Sequence, residues 1–293
     1  MTRKIGVIGG SGLYEIAELK DKKWLPKKEG PFGMPSDDIL YGKIEEVEVY
    51  FLPRHGRKHT FSPTNVPYRA NIDILKRLGC NDIVSISAVG SLKENLKPGM
   101  FVLVDQFIDR TFARQKTFFD RGIVAHVSMA KPVCKNTADL IYKAAKSASV
   151  EIVYGGTYLA MEGPQFSSYS ESQLYRSWGC DVIGMTNMPE AKLAREAEIR
   201  YASIAMVTDF DCWHDVEESV GVTDIIKVMH ENSENAKLLI KEFVTEYKQN
   251  RSNDVIDGVD NVLDTAIITK DFSTDDLIEK GLDAVASRII NAS

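Results

Sequence analysis

The sequence predicts one α/β domain in which a central, mostly parallel mixed β-sheet is flanked by helices. Short apolar runs typical of strands alternate along most of the chain with segments of helical periodicity. The run from Ala202 to Thr208 is small or apolar except at Ser203, as expected of a strand covered on both faces. No internal repeat or long linker divides the chain, so a single sheet-centred domain is the economical interpretation.

In the first half, Lys4–Ile8 predicts a strand that ends at the glycine cluster of residues 9–12. The polar residues 20–38, with several prolines and glycines, predict a loop. The other early predictions are strands at Ile39–Ile44, Val47–Leu52, Asp82–Ala88 and Val102–Val104, with a helix at Pro67–Leu78.

In the second half the same patterns predict helices at Thr137–Ala148 and Ser170–Trp178, a helix with proline in its first turn at Pro189–Arg195, and strands at Glu151–Met161 and Asp181–Gly184. Apolar spacing predicts one or two helices within Val222–Tyr247. We assign residues 1–250 to the main domain. Residues 251–293 form a C-terminal extension, expected to pack on it and to end in an amphipathic helix opening at Ser273.

The composition is that of a soluble globular protein, because 44% of the 293 residues are hydrophobic and 27% are charged. A net charge of −6 provides no basic surface for nucleic acid. No apolar run reaches the about 18 residues of a membrane span. The four cysteines lack C-x-x-C or metal-ligand spacing and the chain opens directly into a strand, so we expect a cytoplasmic protein with reduced thiols.

A hydroxyl and two carboxylates, Thr208, Asp209 and Asp211, follow the apolar strand. Ligands of parallel sheets bind outside the carboxyl ends of the strands, which is where these side chains fall. Strand alternation places Asp209 and Asp211 on the same side. The alternative interpretation is an acidic pair that simply ends a strand and begins a turn.

Two further strand ends suggest an anion site. The cluster Gly9-Gly10-Ser11-Gly12 offers backbone donors and the Ser11 hydroxyl, although a tight turn without a ligand explains it equally well. It lacks the third glycine of a dinucleotide fingerprint and the lysine of a P-loop. Arg54 and His55 provide a guanidinium fork and an imidazole donor. Their alternatives are a surface ion pair and a hydrogen-bonded turn residue.

Seven segments, taken in order, form one set of motifs: Ile8–Leu13, Arg54–His59, Ala88–Ser91, Asp105–Thr111, Glu162–Ser168, Met185–Glu190 and Thr208–Trp213. Together they resemble the motifs of the 5′-methylthioadenosine phosphorylase family within the trimeric purine nucleoside phosphorylase superfamily. The resemblance spans about Lys4–Lys248, and the family is variable beyond Asn250.

The resemblance implies a nucleoside phosphorylase-like fold and phosphorolysis of 5′-methylthioadenosine to adenine and 5-methylthio-α-D-ribose 1-phosphate in purine and methionine salvage. It implies a pentosyltransferase that uses phosphate as co-substrate, without cofactor or metal, in a homotrimer with shared active sites. The implied phosphate-binding residues are Ser11, Arg54, His55, Ser87 and Thr186. The implied nucleoside-binding residues are Ala88, Gly90, Phe166, Asp209 and Asp211, with Met185 against the ribose, Ser167 nearby, His126 reaching a neighbouring subunit's substrate, and Val222 and Ile225 lining the methylthio pocket.

The sequence departs from the family pattern at two positions. Gly184 stands where relatives often have Asn, which removes one side-chain contact near the ribose. Ser11 replaces the commoner Thr and keeps the hydroxyl.

The chemistry of the residues agrees with that assignment. A carboxyl at Asp209 near purine N7 can relieve charge on the departing base, while Asp211 can accept from the 6-amino group. Phosphate then attacks the anomeric carbon from the opposite face, which inverts its configuration.

Three alternatives stay open at this stage. A phosphorylase for 6-oxopurine nucleosides or methylthioinosine is disfavoured, because such sites usually place Asn in the base pocket. A histidine phosphatase is suggested by Arg54-His55-Gly56 after a strand, and predicts a phosphohistidine. A non-catalytic nucleoside-binding module is less consistent with an anion site beside an acidic pair.

Overall fold

A mixed β-sheet built from runs of β-branched and aromatic residues forms the centre of the protein. The computed structural model describes residues 4–10, 12–214, 222–251, 254–256 and 258–292, and it describes residues 222–226 by their backbone alone. The strands are β1 (Lys4–Gly9), β2 (Lys20–Leu25), β3 (Ile39–Ile44), β4 (Val47–Pro53), β5 (Asp82–Ser91), β6 (Phe101–Val104), β7 (Gln106–Asp109), β8 (Ile152–Tyr154), β9 (Thr157–Ala160), β10 (Val182–Gly184) and β11 (Arg200–Asp209).

Strand β5 occupies the centre, because it pairs with three other strands. It runs parallel to β1 and to β11, and its last residues pair antiparallel with β10. The main path of the sheet is β2-β3-β4-β1-β5-β10-β9-β7, and β6 and β8 continue it beyond β11. The carboxyl ends of β5 and β11 therefore lie side by side, as predicted for a ligand site at this edge.

Helices cover both faces of the sheet. Alternate residues of β5 enter two different hydrophobic clusters: Ile83 and Val89 pack with α1 and α4, whereas Val84 and Ile86 pack with α2 and α5. No helix within the described ranges is long and apolar enough to cross a bilayer. The helices are α1 (Tyr68–Arg77), α2 (Lys135–Ser147), α3 (Tyr169–Ser177), α4 (Asn187–Glu196), α5 (Val222–Asn250), α6 (Leu263–Ala266), α7 (Thr274–Glu279) and α8 (Ser287–Ala292).

Two sequence predictions about strands were wrong. Residues 20–25, predicted as loop, form β2, which pairs with β3 alone. Its first four side chains are polar and exposed, so it lacks the apolar pattern that predicts a strand. An edge strand can lack that pattern, because it needs neither face buried. The predicted strand Glu151–Met161 is divided into β8 and β9 at Gly155 and Gly156, which both adopt positive φ.

The C-terminal residues pack against the layer formed by α1 and α4. Leu277 and Val285 belong to the same hydrophobic cluster as those helices, and Arg77 pairs with Asp283. The single helix predicted from Ser273 is instead α7 and α8, separated at Gly281, whose φ is +78°. These contacts support our proposal that residues 251–293 are an extension packed on the main domain.

Candidate active site

The acidic pair lies at the end of β11, where the strand gives way to a 3₁₀ turn. Asp209 is the last strand residue, and Asp211 begins the turn with a left-handed φ of +50°. The prediction that strand alternation aligns the two was therefore wrong. The turn brings them together instead, because the Asp211 N–H donates to Asp209 Oδ1 over 2.8 Å. The Thr208 hydroxyl lies 2.7 Å from the other oxygen, Asp209 Oδ2.

Gly90 of β5 faces this pair. An ideal Cβ at Gly90 would lie 3.1 Å from Asp209 Oδ1 and 3.2 Å from Asp211 Cβ, so the absent side chain keeps the space beside the carboxylates clear. On its other side, Asp211 accepts a 2.6 Å hydrogen bond from Ser172. Burial raises the pKa of Asp211, the nearby Asp209 charge adds to the rise, and the Ser172 hydrogen bond offsets part of it.

Exposed residues occur on the segments next to the pair. Ala88 is exposed, although its neighbours Ser87 and Val89 in the central strand are buried. Phe166 projects with 84% of its surface exposed. Ser167 is linked to the turn after Asp211, because the Cys212 thiol donates to its carbonyl oxygen. The structure thus brings Ser167 together with the acidic pair.

A second group of polar residues surrounds the start of α4. Ser87 donates to Asn187 over 3.2 Å. Thr186, which precedes α4, is only 6% exposed, yet its hydroxyl has no hydrogen-bond partner among the described residues. Buried hydroxyls without partners are rare in native proteins, so this one indicates a place for a bound acceptor. This end of α4 therefore offers a binding place for an anion.

Arg54 lies beneath this place and is almost fully buried. Its Nε and Nη2 contact both carboxylate oxygens of Glu190 at 2.9 and 3.1 Å, and Nη2 also donates to Ser85. The alternative of a surface ion pair was wrong, since both side chains of the pair are 2% exposed. Burial acts to lower the pKa of Arg54, but the Glu190 carboxylate outweighs it and the net change is upward.

One N–H of the Arg54 guanidinium has no acceptor among the described residues. Nη1 carries two hydrogens and donates to one described acceptor, the Ile86 carbonyl oxygen, at 3.0 Å. Glu190 was not singled out from the sequence, although it closes the Met185–Glu190 motif. It also accepts from Ser85 and Tyr201, so it positions Arg54 within a buried network.

His55 is held by a neighbouring carbonyl group. Its Nδ1 lies 2.9 Å from the Phe61 oxygen, and since a carbonyl only accepts, Nδ1 carries the proton. Burial lowers the pKa of His55 to about 4; the Phe61 hydrogen bond opposes the shift and the Arg54 charge adds to it. The ring is neutral at pH 7 and its Nε2 is an acceptor. To donate to an anion through Nε2, as the sequence predicted, the ring must be protonated. As a neutral ring it instead accepts through Nε2 from the P–OH of hydrogen phosphate.

The remaining predicted residues fall into two sets. Met185 is half-buried and packs against Gly163, where an ideal Cβ would lie 2.5 Å from its Sδ. His126 is exposed, so it is not a buried structural histidine. Ser11 lies outside the described residues, as do the side chains of Val222 and Ile225.

The chain is similar to known proteins along most of its length. A family model described as the phosphorylase superfamily matches residues 4–245, and the chain belongs to this superfamily. It is 55% identical over 290 residues to the S-methyl-5′-thioadenosine phosphorylase of Cereibacter sphaeroides, covering 99% of each chain. It is 52% identical over 286 residues to that of Rhodospirillum rubrum, covering 98% of this chain and 97% of the relative.

Solved structures give the same result for the fold. A methylthioadenosine phosphorylase sourced from an Antarctic soil metagenomic library superimposes with a TM-score of 0.90 and 45% identity, covering 97% of this chain and 99% of that one. Methylthioadenosine phosphorylase from Schistosoma mansoni in complex with adenine gives a TM-score of 0.84 and 35% identity, covering 90% of this chain and 99% of the other.

Proposed function

We propose that this chain is a pentosyltransferase that phosphorolyses 5′-methylthioadenosine to adenine and 5-methylthio-α-D-ribose 1-phosphate. One observation carries the proposal: the acidic pair and the anion site both border strand β5. Ser87 belongs to the anion site, and Gly90, three residues later, faces Asp209 and Asp211. At about 3.3 Å per residue the two sites are about 10 Å apart, which leaves room for a ribose between base and phosphate.

The acidic pair handles the base. With no side chain at Gly90, the purine edge can approach both carboxyls. Asp209 donates a proton or hydrogen bond to N7 as the glycosidic bond breaks toward an oxocarbenium-like ribosyl group. Asp211 accepts from the 6-amino group, and Phe166 packs against the purine face.

The anion site handles phosphate. The Thr186 hydroxyl donates to phosphate, and the Ser87 hydroxyl turns its hydrogen from Asn187 to phosphate. Arg54 supplies the spare Nη1 hydrogen, and His55 receives the P–OH through Nε2. Ser11 completes this set. The bound phosphate attacks the anomeric carbon opposite the departing base, so the configuration inverts. Phosphate is a co-substrate, and the scheme uses no organic cofactor or metal.

The sugar and its 5′ substituent lie between these two groups. Ala88 borders the purine, Met185 lines the ribose, Ser167 lies nearby, and Val222 and Ile225 line the methylthio pocket. In a homotrimer, the exposed His126 reaches the 5′ group of a neighbouring subunit's substrate. In such an assembly, subunit contacts would cover large exposed side chains such as Phe112, at 82%, and Tyr169, at 55%.

The products suit salvage, because adenine returns to the purine pool and the sugar phosphate keeps the methylthio group of methionine. We place the reaction in the cytoplasm, where reduced thiols persist. The four cysteines are free and three of them are buried, which supports that compartment.

Product release from methylthioadenosine, inosine and methylthioinosine, each with and without phosphate, tests the proposal. We expect adenine release that requires phosphate and yields the sugar 1-phosphate. Faster turnover of methylthioinosine would favour the 6-oxopurine alternative. Equal base release without phosphate would contradict a phosphorylase.

A further inference from the structure

The Tyr158 side chain fills the space that a side chain at Gly184 would need. An ideal Cβ at this position would lie 2.0 Å from the Tyr158 hydroxyl oxygen and 2.6 Å from Cζ of the same ring. Gly184 ends β10 and Tyr158 belongs to the adjacent parallel strand β9, with Gly184 opposite Ala160. The missing side chain at 184 is therefore a requirement of space for the Tyr158 hydroxyl.

That hydroxyl has a specific partner. Tyr158 is fully buried, and its oxygen accepts a hydrogen bond from the backbone N–H of Thr186 over 3.4 Å. Burial raises the pKa of Tyr158, while contacts with the Thr186 backbone and the Ser87 side chain oppose the rise. The ring thus ends between two residues of the proposed phosphate site, without reaching solvent itself.

Among the described residues, the Tyr158 hydroxyl is the acceptor found for the Thr186 N–H. Thr186 is the residue just before α4, and its side chain makes no capping hydrogen bond to the helix. Its hydroxyl is buried and unpartnered among the described residues, so the direction in which it points depends on how its backbone is fixed. An acceptor for the Thr186 N–H sets that backbone.

We propose that the Tyr158 hydroxyl is a positioning group for phosphate, which orients Thr186 by accepting its N–H and requires Gly184 in order to fit. The inference rests on the proposed phosphorolysis. An Asn at position 184 would supply the same acceptor locally, because Asn side chains hydrogen-bond the backbone two residues on in an Asx turn. Tyr158 supplies it from the neighbouring strand instead.

The first test is Tyr158→Phe, which removes the oxygen and keeps the ring. Loss of one hydrogen bond through an intermediate residue should raise the phosphate KM by about 3–10-fold and change the nucleoside KM by less than about twofold. Tyr247→Phe is the matched control, since it removes another buried tyrosine hydroxyl, bonded to Asp82 away from this site. The control should lower the melting temperature and leave the phosphate KM unchanged.

The second test restores the acceptor by another route. Tyr158→Leu clears the space at 184, so Tyr158→Leu/Gly184→Asn should recover a low phosphate KM, whereas Tyr158→Leu/Gly184→Ala should keep a high one. Equal phosphate KM values in these two variants would overturn the inference. So would a Tyr158→Phe variant whose phosphate KM is unchanged, or whose two KM values rise equally. A wild-type enzyme that needs no phosphate would instead overturn the proposed function, and this inference with it.

Discussion

The buried pair of Arg54 and Glu190 allows stability and phosphate binding to be separated. Arg54→Met leaves Glu190, which is 1% exposed, as a buried carboxylate without its cation. Breaking such a pair by removing one partner costs about 3–5 kcal/mol. At about 2 °C per kcal/mol for a chain of this size, the melting temperature should fall by about 6–10 °C. Loss of a charge-assisted hydrogen bond of about 1.5–3 kcal/mol should also raise the phosphate KM about 10–150-fold.

The double variant Arg54→Met/Glu190→Gln distinguishes the two effects. The Glu190→Gln change removes the buried charge, and the new amide oxygen still accepts from Tyr201 and Ser85, although its N–H groups lack the former partner. We expect about half of the lost stability to return, as measured by differential scanning calorimetry, with the phosphate KM as high as in the single variant. A single variant that melts like the wild type, or a double variant that regains phosphate affinity, would refute this reasoning.

Three other predictions concern the base pocket, the core and the assembly. Asp211→Asn keeps the Ser172 hydrogen bond but turns an amide toward the 6-amino group. The ratio of kcat/KM for methylthioadenosine to kcat/KM for methylthioinosine should therefore fall by about 10–100-fold. An unchanged ratio would mean that Asp211 does not accept from the 6-amino group. Burial raises the pKa of Glu196 to about 7, so between about pH 4.5 and 7 the folded state binds more protons than the unfolded state, and stability decreases as the pH rises. Glu196→Gln should therefore make the melting temperature depend less on pH between about pH 5 and 8. The control Glu279→Gln, at an exposed position, should leave that dependence unchanged. Sedimentation should give a mass about three times that of the chain, and a fully active monomer would exclude His126 from a neighbour's site.

The sequence predicted those parts of the fold whose signal is local. Apolar runs identified β4, β5 and β11, and helical spacing identified α1 and α2 within one or two residues. The edge strand β2 was missed, because its first four side chains are polar and exposed and it lies at the edge of the sheet, paired with β3. Residues 151–161 were predicted as one strand, because two adjacent glycines do not reveal their positive φ angles in advance.

For the site, the residue types at strand ends indicated which side chains to consider. The sequence did not show which residues those side chains contact. Arg54 was singled out as a phosphate-binding residue, which stays a prediction, and its burial against Glu190 depends on a contact 136 positions away in the chain. Asp209 and Asp211 do lie together, through a turn rather than through strand alternation. Tyr158 gave no signal at all, because only the neighbouring strand shows that its hydroxyl fills the space at Gly184.

The most direct test of the proposed reaction is steady-state phosphorolysis of methylthioadenosine by the wild type and Asp209→Asn, with methylthioinosine as the comparison substrate. Asn keeps the shape of the residue and loses the acid, so turnover of methylthioadenosine should fall by on the order of 10²–10⁴-fold. Methylthioinosine should lose less or gain, because the amide can donate to a 6-oxo group. Equal, small losses on both substrates would show that the carboxyl at the end of β11 takes no part in releasing the base.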